Sequence, residues 1–354
     1  QRLWFLDKLE GGNDSTYNIP MPCRVIGDMD ISALNMALNE IIRRHEGLRT
    51  VFHDPVENSD DGQLREPGPV QLILPELKLD PAVTDISGLP RKEREGEAGH
   101  IAEEEGLKPF DLSKGPLIRA GIVRMGDREH LLLITVHHIV FDGWSADVFF
   151  REFRQLYEAF SAGKPSPLSD FEIQYADFAH WQRDLLSGET LEIHLDYWKK
   201  QLSGVPLLLE LPADRPRPPV QTFNGNFIPF ELSADLTGRV NELSHGSGVT
   251  LFMTLYAAFT ALLSRYSGKE DIVMGSPIAN RNHKQTEHLI GFFVNTLALR
   301  ADISGDPAFT ALLDQVKRTT LDAYEHQDLP FERLVDELDI ERSMSHSPLF
   351  QVMF

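Results

Sequence analysis

Two adjacent histidines, His137 and His138, are followed by Asp142 and Gly143 in the stretch "TVHHIVFDGWS", Thr135 to Ser145. Imidazole gives and takes protons near neutral pH and is also the commonest side-chain metal ligand. The pattern admits three readings: a proton-transfer site, a metal site, or a strand end closed by a loop-capping aspartate. Along "HLLLITVHH" successive side chains point to opposite faces. Leu131, Leu133, Thr135 and His137 share one face; Leu132, Ile134, Val136 and His138 share the other. Two adjacent ligands on opposite faces suit a metal poorly, and no third partner stands at a fixed spacing. A serine triad lacks its G-x-S-x-G elbow. One imidazole as general base, with Asp142 organising the loop, stands against the plain strand end. Gly143 lets the backbone approach a ligand or take an unusual conformation.

The elements that hold these residues alternate between helix and strand. Asp30 is placed to cap a helix running to about His45, with Leu34, Ala37, Leu38, Ile41 and Ile42 on one face. "LRTVF" and "PVQLIL" read as short strands, and an acidic helix is expected near Arg91 to Glu105. "PLIRAGIVRMGDREHLLLITVHH" reads as two strands joined at Gly126-Asp127, a hairpin that ends on the paired histidines. A helix from about Trp144 to Ser161 follows. Pro165, Pro167 and Asp170 mark a break, and "LPADRPRPP" a second loop. Beyond it a strand is expected near Phe227 to Leu232, then helices over Ala234 to His245 and Leu251 to Tyr266. "DIVMGSPIANR" and "TLALRADI" read as strands, Asp306-Pro307 as the start of a long helix to about His326, and "PLFQVMF" as a last strand. Both halves mix helices with short strands, so the expected class is α+β, in two layered subdomains.

Composition sets the bounds. The 354 residues are 42% hydrophobic and 25% charged, ordinary for a globular chain of one large or two smaller domains. A formal net charge of -20 argues against nucleic acid, whose phosphates need a basic face. No apolar run is long enough to span a bilayer. The single cysteine, Cys23, excludes an internal disulfide framework and a zinc site built on several thiolates. A cytoplasmic location is expected. The chain opens at Gln1 without an initiator Met or signal-peptide pattern, and stops at Phe354 inside an apolar run. Neither end has the polar character of a domain boundary, so a segment of something longer is expected.

With the rest of the chain beside it, "HHIVFDGWS" resembles the H-H-x-x-x-D-G motif of condensation domains of nonribosomal peptide synthetases, within the chloramphenicol-acetyltransferase-like superfamily. "QRLWFL" resembles the tail of that family's first motif and "RHEGLRTVF" (Arg44 to Phe52) its second. "YADFAHW" (Tyr175 to Trp181) resembles the fourth and "IGFFVNTLALR" (Ile290 to Arg300) the fifth. "HQDLPFERLVDEL" (His326 to Leu338) and "SPLFQVMF" (Ser347 to Phe354) resemble the sixth and seventh. All seven occur in the family's order. The first motif lacks its leading residues and the family continues past the seventh.

The resemblance implies two chloramphenicol-acetyltransferase-like subdomains, 1–167 and 168–354, in a V-shaped pseudo-dimer with the active site in the cleft and the second subdomain truncated. It implies amide formation: the amine of a downstream aminoacyl thioester attacks an upstream aminoacyl or peptidyl thioester. Both substrates arrive on phosphopantetheine arms of a donor and an acceptor carrier domain, beside an adenylation domain. No cofactor or metal is bound by the domain itself, and neither nucleic acid nor membrane is a partner. His138 is the implied base or amine-positioning group, His137 a structural residue, and Asp142 an organiser paired with Arg281. Gly143 brings its backbone near the substrate or serves the turn. Trp144, Ser145 and Asn295 line the tunnel, or Ser145 caps its helix and Asn295 bonds the backbone. Tyr175, Asp177 and Trp181 read as packing residues. "QRLWFLDKLEGG" and "YNIP" resemble the subtype that accepts an L-configured donor. An epimerisation or ester-forming relative, or a non-catalytic recruitment domain of the same fold, is the alternative.

Overall fold

The computed structural model describes residues 2–9, 15–53, 70–340 and 343–354. Gln1 of the first motif and residues 10–12 of the donor-subtype stretch lie outside the described residues. The chain forms two compact units. The first comprises Gln1–Trp181 together with Arg281–Phe293, the second Gln182–Asn280 with Val294–Phe354. The expected cut after residue 167 follows chain order, whereas the packing groups the helix start at Tyr175 and the distant segment 281–293 with the first unit. The reason is burial: Leu289 and Phe293 share a small apolar cluster with Phe178, and Ile290 joins the main core of that unit.

In the first unit the strand Glu129–His137 lies between its partners. On one side it pairs antiparallel with Ile118–Gly126, and on the other with the short strands Asn18–Pro20 and Cys23–Ile26. Ala82–Asp85 closes the sheet in parallel beside Ile118–Gly126. The hairpin turns at Asp127-Arg128, next to a register shift at Arg124/Gly126. Strand Glu129–His137 is buried from Leu132 to His137, as a strand covered on both faces must be. The helix Ile31–Arg44 has Asp30 at its N-cap, accepting from the Ala33 N–H at 2.9 Å. Its Leu34, Ala37, Leu38, Ile41 and Ile42 are buried, the stripe that a 3.6-residue period predicts. The helix Gly143–Ser161 packs on it and begins at the residue after Asp142.

The second unit has one antiparallel strand pair, Asp271–Ile278 with Asn295–Asp302. Around it lie the helices Gly188–Gln201, Ala234–Gly246, Leu251–Ser267, Phe309–Glu325 and Phe331–Glu337. Trp198, Tyr256, Met274, Leu297 and Leu299 are fully buried in its core.

Two expected strands differ. Phe227 to Leu232 is extended but unladdered, with Phe227, Ile228 and Phe230 each more than four-fifths exposed. Its β-branched and aromatic residues carry strand propensity, but a strand needs a neighbouring edge, and none of the described strands pairs with it. "PLFQVMF" joins by an isolated bridge, Gly275 to Met353. A side chain at Gly275 would collide with the Phe350 ring, so the glycine lets this apolar end pack over the strand. No single helix among the described residues is long and apolar enough to cross a membrane.

Candidate active site

The strand Glu129–His137 stops at His137, and His138 begins a one-turn 3-10 helix, His138–Val140. The strand's alternation and this turn separate the two imidazoles. His137 is buried, its Nδ1 accepting from the Ile139 N–H at 3.1 Å and its ring edge-on to Phe110. Burial, with His138 beside it, pushes its pKa down to about 4. His137 is therefore a neutral packing and turn-forming residue.

His138 is half-buried. Its Nδ1 lies 2.6 Å from the Phe141 carbonyl oxygen, which can only accept, so Nδ1 carries the proton. In the neutral ring Nε2 then holds the lone pair, the form that a general base requires. The Phe292 ring meets the imidazole edge-on, with centroids 5.1 Å apart.

Asp142 turns the chain from the 3-10 helix into the helix Gly143–Ser161. Its Oδ1 accepts the Ser145 N–H at 2.9 Å, an N-cap bond, and lies 3.0 Å from Arg281 Nη2. Its Oδ2 accepts the Phe293 N–H at 2.9 Å and lies 3.3 Å from the same guanidinium nitrogen. Both charged side chains are buried. Arg281 Nη1 donates to the Leu289 and Thr286 carbonyls, and Arg281 stacks on the Phe293 ring at 4.0 Å. Burial lowers the Arg281 pKa, against the opposing pull of Asp142. No proton moves in this arrangement. It is a clamp: a charge pair whose hydrogen bonds are almost all spent on backbone.

Two expected tunnel residues are corrected. Ser145 is fully buried; its hydroxyl lies 2.7 Å from Asp142 Oδ1 and accepts the Gly291 N–H at 3.1 Å. Asn295 belongs to the second unit, where its amide holds the Gln327 and Leu329 carbonyls and its oxygen accepts the Phe331 N–H. Both are internal ties, with no polar atom left to face a substrate. Trp144 is 43% exposed and donates to the Glu287 carbonyl. Gly143 has ordinary negative φ and open space where a Cβ would go, so the turn does not require it. The uncovered backbone there leaves room for a ligand.

Sequence reasoning passed over a second buried group. His45 Nδ1 accepts the Ile290 N–H at 3.1 Å, and its Nε2 lies 3.0 Å from Glu152, which also pairs with Arg44. Burial holds His45 neutral. Burial alone would raise Glu152, but the hydrogen bonds from His45 and Arg44 bring it below the usual carboxylate range. A signal was present: Glu152 falls on the buried stripe of its helix, with Ser145, Val148, Phe149 and Leu156.

These groups set the acid response. A histidine held neutral in the fold is protonated first in the unfolded chain, so its contribution is full above about pH 6.5 and is lost as pH falls toward 4. For His137 the full loss is on the order of 3 kcal/mol, and His45 and Glu152 act with the same sign. Urea unfolding between pH 6.5 and 5 is expected to show stability falling with acid. His137→Gln should flatten that dependence by about 1 kcal/mol per pH unit. Equal slopes in both proteins would remove His137 as the source.

A family model described as "Condensation domain" matches residues 1–354. One linear gramicidin synthase protein of Brevibacillus parabrevis is 52% identical over 355 residues, which are 100% of this chain and 7% of that protein. The chain thus spans less than a tenth of that relative's length. Among solved structures, the X-domain from teicoplanin biosynthesis superposes with a TM-score of 0.85 at 28% identity, covering 99% of this chain and 75% of that one. The same X-domain in a complex with OxyB gives 0.83, also at 28% identity, covering 99% and 74%.

Proposed function

The chain belongs to the condensation-domain family, and on that premise we propose that it forms an amide between two carrier-bound substrates of nonribosomal peptide synthesis. The donor is an aminoacyl or peptidyl thioester, the acceptor the amine of an aminoacyl thioester, each on a phosphopantetheine arm. The observation that carries this reading is the tautomer of His138. With Nδ1 donating to Phe141 O, Nε2 is left to accept a hydrogen from the attacking amine. The C–N bond forms as nitrogen adds to the thioester carbonyl. The proton passes to Nε2, the C–S bond breaks, and the thiolate leaves with that proton. The backbone at Gly143 is uncovered, and a reacting thioester can lie against it. Asp142 and Arg281 keep the loop between His138 and Gly143 in place and touch no substrate.

The partners in this reading are an upstream donor carrier, a downstream acceptor carrier and a neighbouring adenylation domain, working in the cytoplasm. The subtype is the one for L-configured donors. The test is to mix the protein with separately loaded carriers and weigh the acceptor carrier. Its mass should rise by the donor acyl group, faster with an L- than a D-configured donor terminus. An acceptor that never gains mass, with both carriers loaded and bound, overturns the proposal. A second reading has support from one observation: the X-domain similar to this chain is seen in a complex with OxyB. A recruitment domain needs no base, and an inert protein that still binds carriers or an oxygenase is the result that selects it.

A further inference from the structure

Four consecutive residues, Ile290 to Phe293, are held almost wholly by side chains from elsewhere in the first unit. Ile290 N–H donates to His45 and Gly291 N–H to Ser145. The Phe292 carbonyl accepts from the Tyr175 hydroxyl at 2.8 Å, and Phe293 N–H donates to Asp142. A Cβ on Gly291 would collide with the Tyr175 ring, so the glycine lets the phenol lie flat against this segment. Three of the four residues are buried; Phe292 is the half-buried one, and its ring edge meets His138.

We propose that Tyr175 is a positioning residue for the His138 imidazole, acting through Phe292, an inference that rests on the reading of His138 as the working base. The hydrogen bond to Phe141 fixes one end of the imidazole but leaves the ring free to rock about it. Phe292 blocks that rocking on one side. The Phe292 ring stands where its own backbone puts it, and its carbonyl is fixed by Tyr175. Burial, with Asp142 near, raises the Tyr175 hydroxyl above the ordinary phenol range, so it remains a donor. Tyr175 touches neither His138 nor any reacting atom. Its effect is on where Nε2 points.

Tyr175→Phe deletes the one hydroxyl and keeps the ring that packs on Phe178 and Phe293. The expected result is a roughly tenfold slower single turnover at saturating loaded carriers, within the ~10²-fold that a misplacement of about 1 Å can cost. The carrier concentration for half-saturation should not move. Histidine labelled with ¹⁵N supplies a readout independent of chemistry, with the His138 signals assigned by their loss in His138→Ala. In the wild type they should report a proton on Nδ1; in Tyr175→Phe they should shift toward a mixture of tautomers. Phe292→Leu keeps apolar bulk without the ring edge and should reproduce both effects, which covers a Tyr175→Phe protein that folds poorly. Wild-type rate and wild-type His138 signals in either folded variant overturn the inference, even with a lowered melting temperature. If the wild type itself forms no amide, the proposed function fails, and the ¹⁵N signals still decide the role of Tyr175.

Discussion

His138→Ala is expected to slow single-turnover amide formation by about 10²–10⁴-fold, the usual range for loss of a general base, while both carriers bind as before. The imidazole is half-buried and its only tie to the protein is through Nδ1, so its removal should cost little stability. The variant therefore separates chemistry from folding. Carrier affinity measured beside the rate separates it from docking as well. A loss of product that tracks a loss of carrier binding would move His138 from the reaction to the docking surface. A wild-type rate would end the assignment and favour the recruitment reading. His137→Ala is the paired control. Its ring faces Phe110 and the sheet interior, so stability should fall while the surviving folded protein still condenses.

The second large effect is on folding. Asp142→Ala leaves Arg281 buried without its counter-charge and removes the acceptor for two backbone N–H groups, those of Ser145 and Phe293. Breaking one partner of a buried pair costs about 3–5 kcal/mol, and losing an N-cap about 0.5–2 more. That sum is comparable with the whole stability of many domains, ~5–15 kcal/mol, so low solubility and a collapsed melting temperature are expected. Asp142→Asn keeps Oδ1 and the cap but surrenders the charge, and should fall between the alanine variant and the wild type. Arg281→Met with Asp142→Asn removes both charges and should recover part of the loss, because neither partner is then stranded. A stable, fully active Asp142→Ala protein would show that the clamp does not hold the site.

The legible part of this protein was local. "HHIVFDG" carries its own strand end, turn and cap within seven residues, and the hairpin that delivers it announces itself by alternation and a Gly-Asp turn. The stripe of the helix Ile31–Arg44 and its Asp30 cap are equally local signals. What stayed hidden depends on which distant side chain a group finds. Ser145 and Asn295 have the polarity of tunnel residues, and nothing in their neighbours says that each is consumed by internal bonds. His45 meets Ile290 across 245 positions, and Tyr175 meets Phe292 across 117. Pairing Arg281 with Asp142 came from the resemblance, since no periodicity links them. Phe227 to Leu232 misled for the opposite reason: its composition suits a strand, but strand formation is decided by an available edge.

Because the first unit borrows residues 281–293, it cannot finish folding in the order in which it is made. Asp142 leaves the ribosome 139 residues ahead of Arg281. At about 5–20 residues per second the cation follows roughly 7–28 s later. Until then the nascent unit holds a carboxylate in an apolar setting with its partner unborn, and the places for Ile290 and Phe293 stand empty. A chain released before residue 293, whether by a stalled ribosome or a premature stop, ends with an uncompensated charge at its centre. It should be recognised by chaperones and proteases as unfinished, although all the residues of the histidine motif are already present.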